Sequence, residues 1–294
     1  MNRVLVSLWI TTILSVLLAP ASAQNGVIAH GDTTARYEID WESAVLSIEL
    51  ERMIERGAAN APAAPAATQA KIIRDAHPVL LEVLLRVPLS SAFFVAEYVS
   101  GDPRLIRLLN EAMSRAQVVD TRTTPDLERA IVVFQIDLHA AIADAVIERR
   151  AARPLERIIG WQPSADYTGV LVYAADDLPV FGTDRTAQIV PVVLPELYFT
   201  NESATEAFPL IQTDQVPRET IRGDGPVGYA TDEQSPAVLR RVGARPLRLL
   251  ARGLFGTYPS DPVLAFDDAS QMLSSPAIRN LLLEGRVVII LPEE

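Results

Sequence analysis

Asp176, Asp177 and Asp184 are the side chains best placed to do chemistry in this 294-residue chain. They flank a loop that follows an apolar run, and such loops are where a scaffold holds a general base or a cation ligand. A hydrolase working through aspartates would use them. Calcium sites gather more oxygen ligands at tighter spacing, so solvated turn carboxylates are the simpler account. Gly223-Asp224-Gly225-Pro226-Val227-Gly228 has the look of a phosphate-cradling loop. It lacks the Lys-Ser/Thr of a P-loop and the spacing of a dinucleotide fingerprint, and a tight turn into a strand fits it better.

His30, His77 and His139 are the only histidines, and none stands in a paired ligand spacing. Zinc draws three or four ligands from His, Cys and carboxylate, so no metal is expected. The absence of cysteine excludes thiol catalysis, and no Gly-x-Ser-x-Gly elbow occurs. These residues call for no cofactor. Arg240, Arg241, Arg245 and Arg248 form the densest basic cluster in a chain of net charge −11. One reading is a contact for an acidic partner. The other, which the spacing favours, is a helix C-terminus whose dipole the arginines complement, followed by an outward strand position.

The elements that would hold these groups follow from periodicity. Tyr37, Ile39 and Trp41 alternate with Glu38 and Asp40, and Leu46, Ile48 and Leu50 with Ser47 and Glu49, which predicts a β-hairpin, with a helix as the alternative for its second arm. Residues 24–35 are polar and read as loose. Residues 57–67 form an Ala/Pro tract without an apolar period and read as a linker. Thr68 is placed to cap a helix that Pro78 kinks or divides. Ser90 or Ser91 starts a short helix, and Asp102-Pro103 a second. A strand pair over residues 117–123 and 132–138 and a helix over 139–150 complete the first unit. Its order suits an antiparallel sheet with helices, in residues 36–150.

Residues 151–166 read as a connector between two compact units. The second unit, residues 167–294, reads as mixed α/β, with strands at 167–174 and 247–254 and a strand-like stretch over 189–199. Helices are expected at 237–241 and 267–283. Val287, Val288, Ile289 and Ile290 lie in a last apolar run that suits a strand buried on both faces. The class expected is therefore α+β.

Composition and the N-terminus speak to compartment. Arg3 precedes an apolar stretch from Val4 to Leu18, Pro20 breaks it, and Ala21-Ser22-Ala23 supplies a small-x-small cleavage site. Cleavage after Ala23 would leave Gln24 as the new N-terminus and release the chain to the periplasm. Without a cysteine no lipid can be attached there. The acidic balance argues against nucleic acid and against anionic lipid surfaces. Lys71 is the only lysine among 26 basic residues, which reflects composition more than a binding patch.

Five short landmarks recur in order: Tyr167-Thr168-Gly169-Val170-Leu171-Val172, Val227-Gly228-Tyr229-Ala230, the stretch from Arg241 to Leu247, Asp268-Ala269, and Arg286-Val287-Val288-Ile289-Ile290. This succession resembles a domain of largely uncharacterised envelope proteins of diderm bacteria. The same domain is shared with flagellum-associated lipoproteins of the FlgP type. The resemblance implies an envelope role at a flagellar or other trans-envelope structure, with envelope or flagellar proteins as partners, and no catalytic residues. The chain departs from it in lacking the lipid-bearing cysteine, and in carrying Ala175-Asp176-Asp177-Leu178-Pro179 where relatives have a glycine-rich turn. The expectation is a non-enzymatic interaction or scaffold protein of the periplasm. A peptidoglycan-binding module and a hydrolase using Asp176, Asp177 and Asp184 are the alternatives.

Overall fold

The alternating apolar positions of the first half assemble into one antiparallel sheet. The structure, a computed structural model, describes residues 23–55, 63–147, 151–158 and 166–292; residues 1–22 of the expected leader lie outside them, while the expected cleavage bond, Ala23–Gln24, falls at the start of the first strand. Strands β1 (Ala23–His30), β2 (Thr33–Asp40) and β3 (Val45–Met53) are followed by helices α1 (Ala64–Asp75), α2 (His77–Leu85), α3 (Val95–Val99) and α4 (Pro103–Met113). Strands β4 (Gln117–Thr123) and β5 (Arg129–Asp137) and helix α5 (Leu138–Ala145) close the half. The sheet order is β1-β2-β3-β5-β4, all neighbours antiparallel. Register sets Ile39 beside Leu46 and Leu46 beside Ile136, so one face is apolar and buried beneath the helices. The other face carries an ion-pair ladder, with Glu51 taking Arg36 at 2.7 Å and Arg129 at 2.9 Å.

Local chemistry sets the helix ends. The Asp102 carboxylate accepts from the Arg104 and Leu105 amides, and Asp137 accepts from Ala140 at 2.8 Å. Pro78 divides the long apolar run into α1 and α2. Thr68 is not a cap. It lies inside α1, which begins four residues earlier with Pro65 in its first turn, and its hydroxyl donates back to the Ala64 carbonyl at 2.9 Å. The Ala/Pro tract is thus helical from Ala64 onward, and residues 57–62 lie outside the described part. Ser90 and Ser91 precede a turn, and α3 starts only at Val95. Residues 24–35 are not loose, because β1 pairs with β2 along its whole length. Their polar side chains suit an edge strand.

The second half is mixed. Its elements are β6 (Val170–Tyr173), β7 (Leu178–Pro179), β8 (Thr186–Ala187), β9 (Leu197–Thr200), β10 (Ala207–Ile211), α6 (Arg218–Gly223), β11 (Gly228–Ala230) and α7 (Pro236–Val242). Then come β12 (Leu247–Leu250), β13 (Gly253–Phe255), β14 (Asp261–Leu264), α8 (Phe266–Ser274), α9 (Pro276–Leu283) and β15 (Val287–Ile290). One sheet is parallel, in the order β11-β15-β6-β12, and a second runs β10-β9-β14-β13. In the parallel sheet the β6-to-β11 and β12-to-β15 connections cross one way, and β11-to-β12 crosses back. Right-handed crossovers put opposite directions on opposite faces. Accordingly α7 covers Leu171, Val288 and Ile290, while α6, α8 and α9 share the core with Val170, Val172, Val287 and Ile289. The last strand is buried on both faces, as its composition predicts.

Several expected elements are shorter or divided: the strand at 167–174 is confined to Val170–Tyr173, and the helix at 139–150 ends at Ala145. Residues 247–254 split into β12 and β13, which join different sheets. Ser275-Pro276 cuts the helix at 267–283 into α8 and α9. Within 189–199 only the end, from Leu197, is strand.

The two halves share one continuous core that contains Ile48 and Val132 as well as Val172 and Ile289. At their seam the Trp41 ring stands edge-on to Tyr229 at 5.9 Å. Asp144 on α5 takes Arg218 and Arg222 of the second half, each at 2.9 Å, and Arg115, two residues past α4, at 2.7 Å. Burial alone would raise the Asp144 carboxyl; the arginines override it and hold it below the usual carboxylate range. The connector takes part as well, since Leu155 is buried and the Arg153 amide donates to the Asp214 carbonyl at 2.8 Å.

Candidate functional site

Ser235 caps α7, accepting from the Val238 amide at 3.3 Å, and Pro236 supplies the fixed φ of a first helical turn. Gly243 ends the helix at φ 73°, where a Cβ would also collide with the Thr168 hydroxyl at 2.7 Å. This short helix delivers Arg240 and Arg241, and the strand after it carries Arg248. The four arginines do not form one cluster. Arg241 turns inward. Its Nε donates to the Gly285 carbonyl at 2.7 Å, and its two terminal nitrogens to the Asp224 and Gly225 carbonyls at 2.5 and 2.8 Å. Burial lowers it to about 10, against the opposing pull of Asp224. It is a structural clamp on the ends of α6 and α9, where carbonyls lack helical partners.

The other three arginines face outward. Arg240 is exposed and has no ion pair among the described residues. Arg245 is 69% exposed, with Asp166 3.9 Å away. Arg248 meets Glu233 at 3.4 Å, and Glu233 also accepts from the Tyr173 hydroxyl. Along β12, Leu247 and Leu249 are buried while Arg248 and Leu250 point out, Leu250 being 57% exposed. Parallel sheets normally have both faces covered. Here α7 covers the β15 and β6 side, and β12 lies beyond its reach. Strand β12 is also an edge strand, with its outer backbone groups unpaired among the described residues. Its flank therefore offers an apolar spot, two outward arginines and an open strand edge.

The remaining candidates do not converge. Asp176 and Asp177 sit on the exposed link between β6 and β7, and Asp184 on the exposed turn between β7 and β8. A cavity of about 730 Å³ opens beside that turn, lined by Phe181, Thr183, Arg252, Phe266 and Asp267 but by none of the three. Among the described residues no group of three or more His, Cys, Asp or Glu is placed to hold a metal.

The histidines lie apart. His30 pairs with Glu82 at 3.1 Å, and His77 with Asn110 at 2.8 Å. His139 is buried against Gly225, where a Cβ would stand 2.3 Å from the ring. Burial, and then Arg241, push its pKa down to about 4, so it is neutral. The 223–228 loop turns the Asp224 and Gly225 carbonyls toward Arg241. That is the opposite polarity from a phosphate cradle, which presents N–H groups.

Comparison with known protein families places both halves. Residues 32–145 match the N-terminal domain of Treponema pallidum Tp0624, and residues 169–293 match its second domain. The chain is similar to Tp0624 domain by domain. Together the two Tp0624 matches span most of the chain, and each coincides with one half of the fold described above. No curated protein matches the chain. Neither Tp0624 match points to FlgP-type lipoproteins, so that part of the resemblance stays with the motifs that suggested it. Among the described residues no helix is long and apolar enough to cross a membrane.

Proposed function

We propose that this protein is an exported, non-enzymatic interaction component of a bacterial envelope assembly, and that the β12 flank is where it meets its partner. The observation that carries the reading is the outward side of β12, the edge of the parallel sheet that α7 leaves uncovered. Arg248 and Leu250 face outward on an edge strand, beside Arg245, in a chain that is otherwise strongly acidic. An extended acidic segment suits it, adding along the open edge and setting carboxylates on Arg245 and Arg248. The export signal and the landmark motifs support the envelope setting. A flagellar or other trans-envelope structure is the finer form of the proposal, and it rests on the FlgP-type resemblance alone.

The test places a photo-crosslinking residue at Leu250 in the intact chain, in cells. The expected result is one discrete adduct with an envelope protein, lost when Arg245 and Arg248 are both changed to Glu, with an unchanged melting temperature. The Asp176→Asn, Asp177→Asn, Asp184→Asn triple variant should keep the adduct and the cellular phenotype. No adduct from position 250, or one indifferent to both arginines, would overturn the site. A well-folded triple Asn variant that behaves like a deletion would promote the hydrolase instead.

A further inference from the structure

Asp261, the first residue of β14, is only 1% exposed. Its Oδ1 accepts from the Glu196 amide at 3.0 Å and from the Ser260 hydroxyl at 3.1 Å. The Ser91 side chain lies beside this carboxyl and favours its charged form. Its Oδ2 has no hydrogen-bond partner among the described residues and is buried. Ser91 belongs to residues 88–94 of the first half, and that segment is stitched to the second half around Asp261. The Val193 amide donates to the Pro88 carbonyl at 3.1 Å, Leu194 to Leu89 at 2.8 Å, and Tyr258 to Ser91 at 2.9 Å. The Phe94 and Tyr258 rings meet edge-on at 4.8 Å.

The ionisable groups facing Asp261 are Glu196 from the loop before β9, Tyr198 on β9 and Tyr229 on β11. The 88–94 segment brings hydroxyls and rings but no charge. Glu196 is itself engaged, accepting from the Thr213 amide at 3.1 Å and the Tyr198 hydroxyl at 3.2 Å. A buried carboxylate with one oxygen unsatisfied is far costlier as an anion than as a neutral acid, and a like charge nearby adds to that cost. We propose that Asp261 is a proton-operated latch between the two halves: neutral, it lets the 88–94 segment stay docked, and ionised, it loosens that seam.

The sign follows from burial and the nearby Glu196 charge, which push the group up to about 7 against the pull of its hydrogen bonds. A carboxyl with a raised folded-state pKa stabilises the docked form fully below its unfolded value of about 4. That contribution is lost as pH rises to about 7. The seam is therefore weakest above neutrality. This runs opposite to Asp144, whose paired carboxylate strengthens the same seam as pH rises.

Hydrogen exchange on the full chain, corrected for the intrinsic rate, tests this. Protection at the Tyr258, Val193 and Leu194 amides should fall by roughly tenfold between about pH 6 and about pH 8. Asp261→Asn stays neutral, so its protection should be flat over that range. Glu196→Gln removes the like charge and should move the loss to lower pH. A carbon-13 titration of wild-type protein labelled at aspartate needs no variant to fold. It should show one carboxyl titrating near neutrality. The absence of such a carboxyl, flat wild-type protection, or an Asn variant that tracks the wild type would each overturn the latch.

Discussion

Arg241 gathers three carbonyls that two helix ends leave unpaired, and those bonds join α6, α7 and the turn into β15. A lysine cannot do this. Its ammonium is a point donor, whereas the guanidinium fork reaches all three oxygens at once. Arg241→Ala should lower stability by about 2–4 kcal/mol in urea unfolding, since hydrogen bonds from a charged donor are lost and buried carbonyls are left unmet. Arg241→Lys should recover only part of that. Arg240→Ala, on the exposed side of α7, should change stability little. The arginine cluster was legible from sequence, but its division was not. Helical period places Val238 and Val242 inward, yet it cannot say that the carbonyls of a neighbouring turn approach Arg241. Asp261 was invisible for a related reason. Ser260-Asp261-Pro262 has the composition of an exposed turn, and only tertiary packing, between neighbouring strands and beside residues 88–94, makes it buried.

At the scale of elements, the sequence is most readable where a local rule and the tertiary contacts agree. The alternation around Ile39, Leu46 and Ile48 gave the β2–β3 hairpin because one face really is buried. Asp102-Pro103 begins a helix because the carboxylate meets two free amides there. Boundaries failed where the deciding partner is distant. Strand β1 is largely polar and pairs with β2 alone in the sheet, and the step from β12 to β13 changes sheets without a break in the apolar pattern. Strand β15 is the opposite case, buried by its neighbours on both faces. Ile289→Ala should therefore cost about 2–5 kcal/mol by chemical denaturation. Val288→Asp, which sets a charge under α7, should leave no soluble protein. Normal yield and melting temperature for the Asp variant would refute the packing of α7 on this strand.

The molecule as a whole raises a question that its two domain matches do not answer, namely whether the halves are independent. Separate family matches and a proline-bearing connector at residues 151–158 suggest two units. The packing says otherwise, for the core runs unbroken between them and the seam includes the Asp144–arginine bridges, the Trp41–Tyr229 contact and the backbone bonds of residues 88–91. Interfaces that are small and polar let domains melt apart, whereas a shared apolar core couples them. Scanning calorimetry of the full chain at about pH 6, where the Asp261 carboxyl is still largely neutral, should give one transition with calorimetric and van't Hoff enthalpies in agreement. Residues 166–292 alone would expose the side of Tyr229 and Tyr258 that the first half covers, and should melt lower or aggregate. Two resolved transitions, or a second half as stable alone as in the whole chain, would show that the seam contributes little. In that case Asp261 would have no latch to operate.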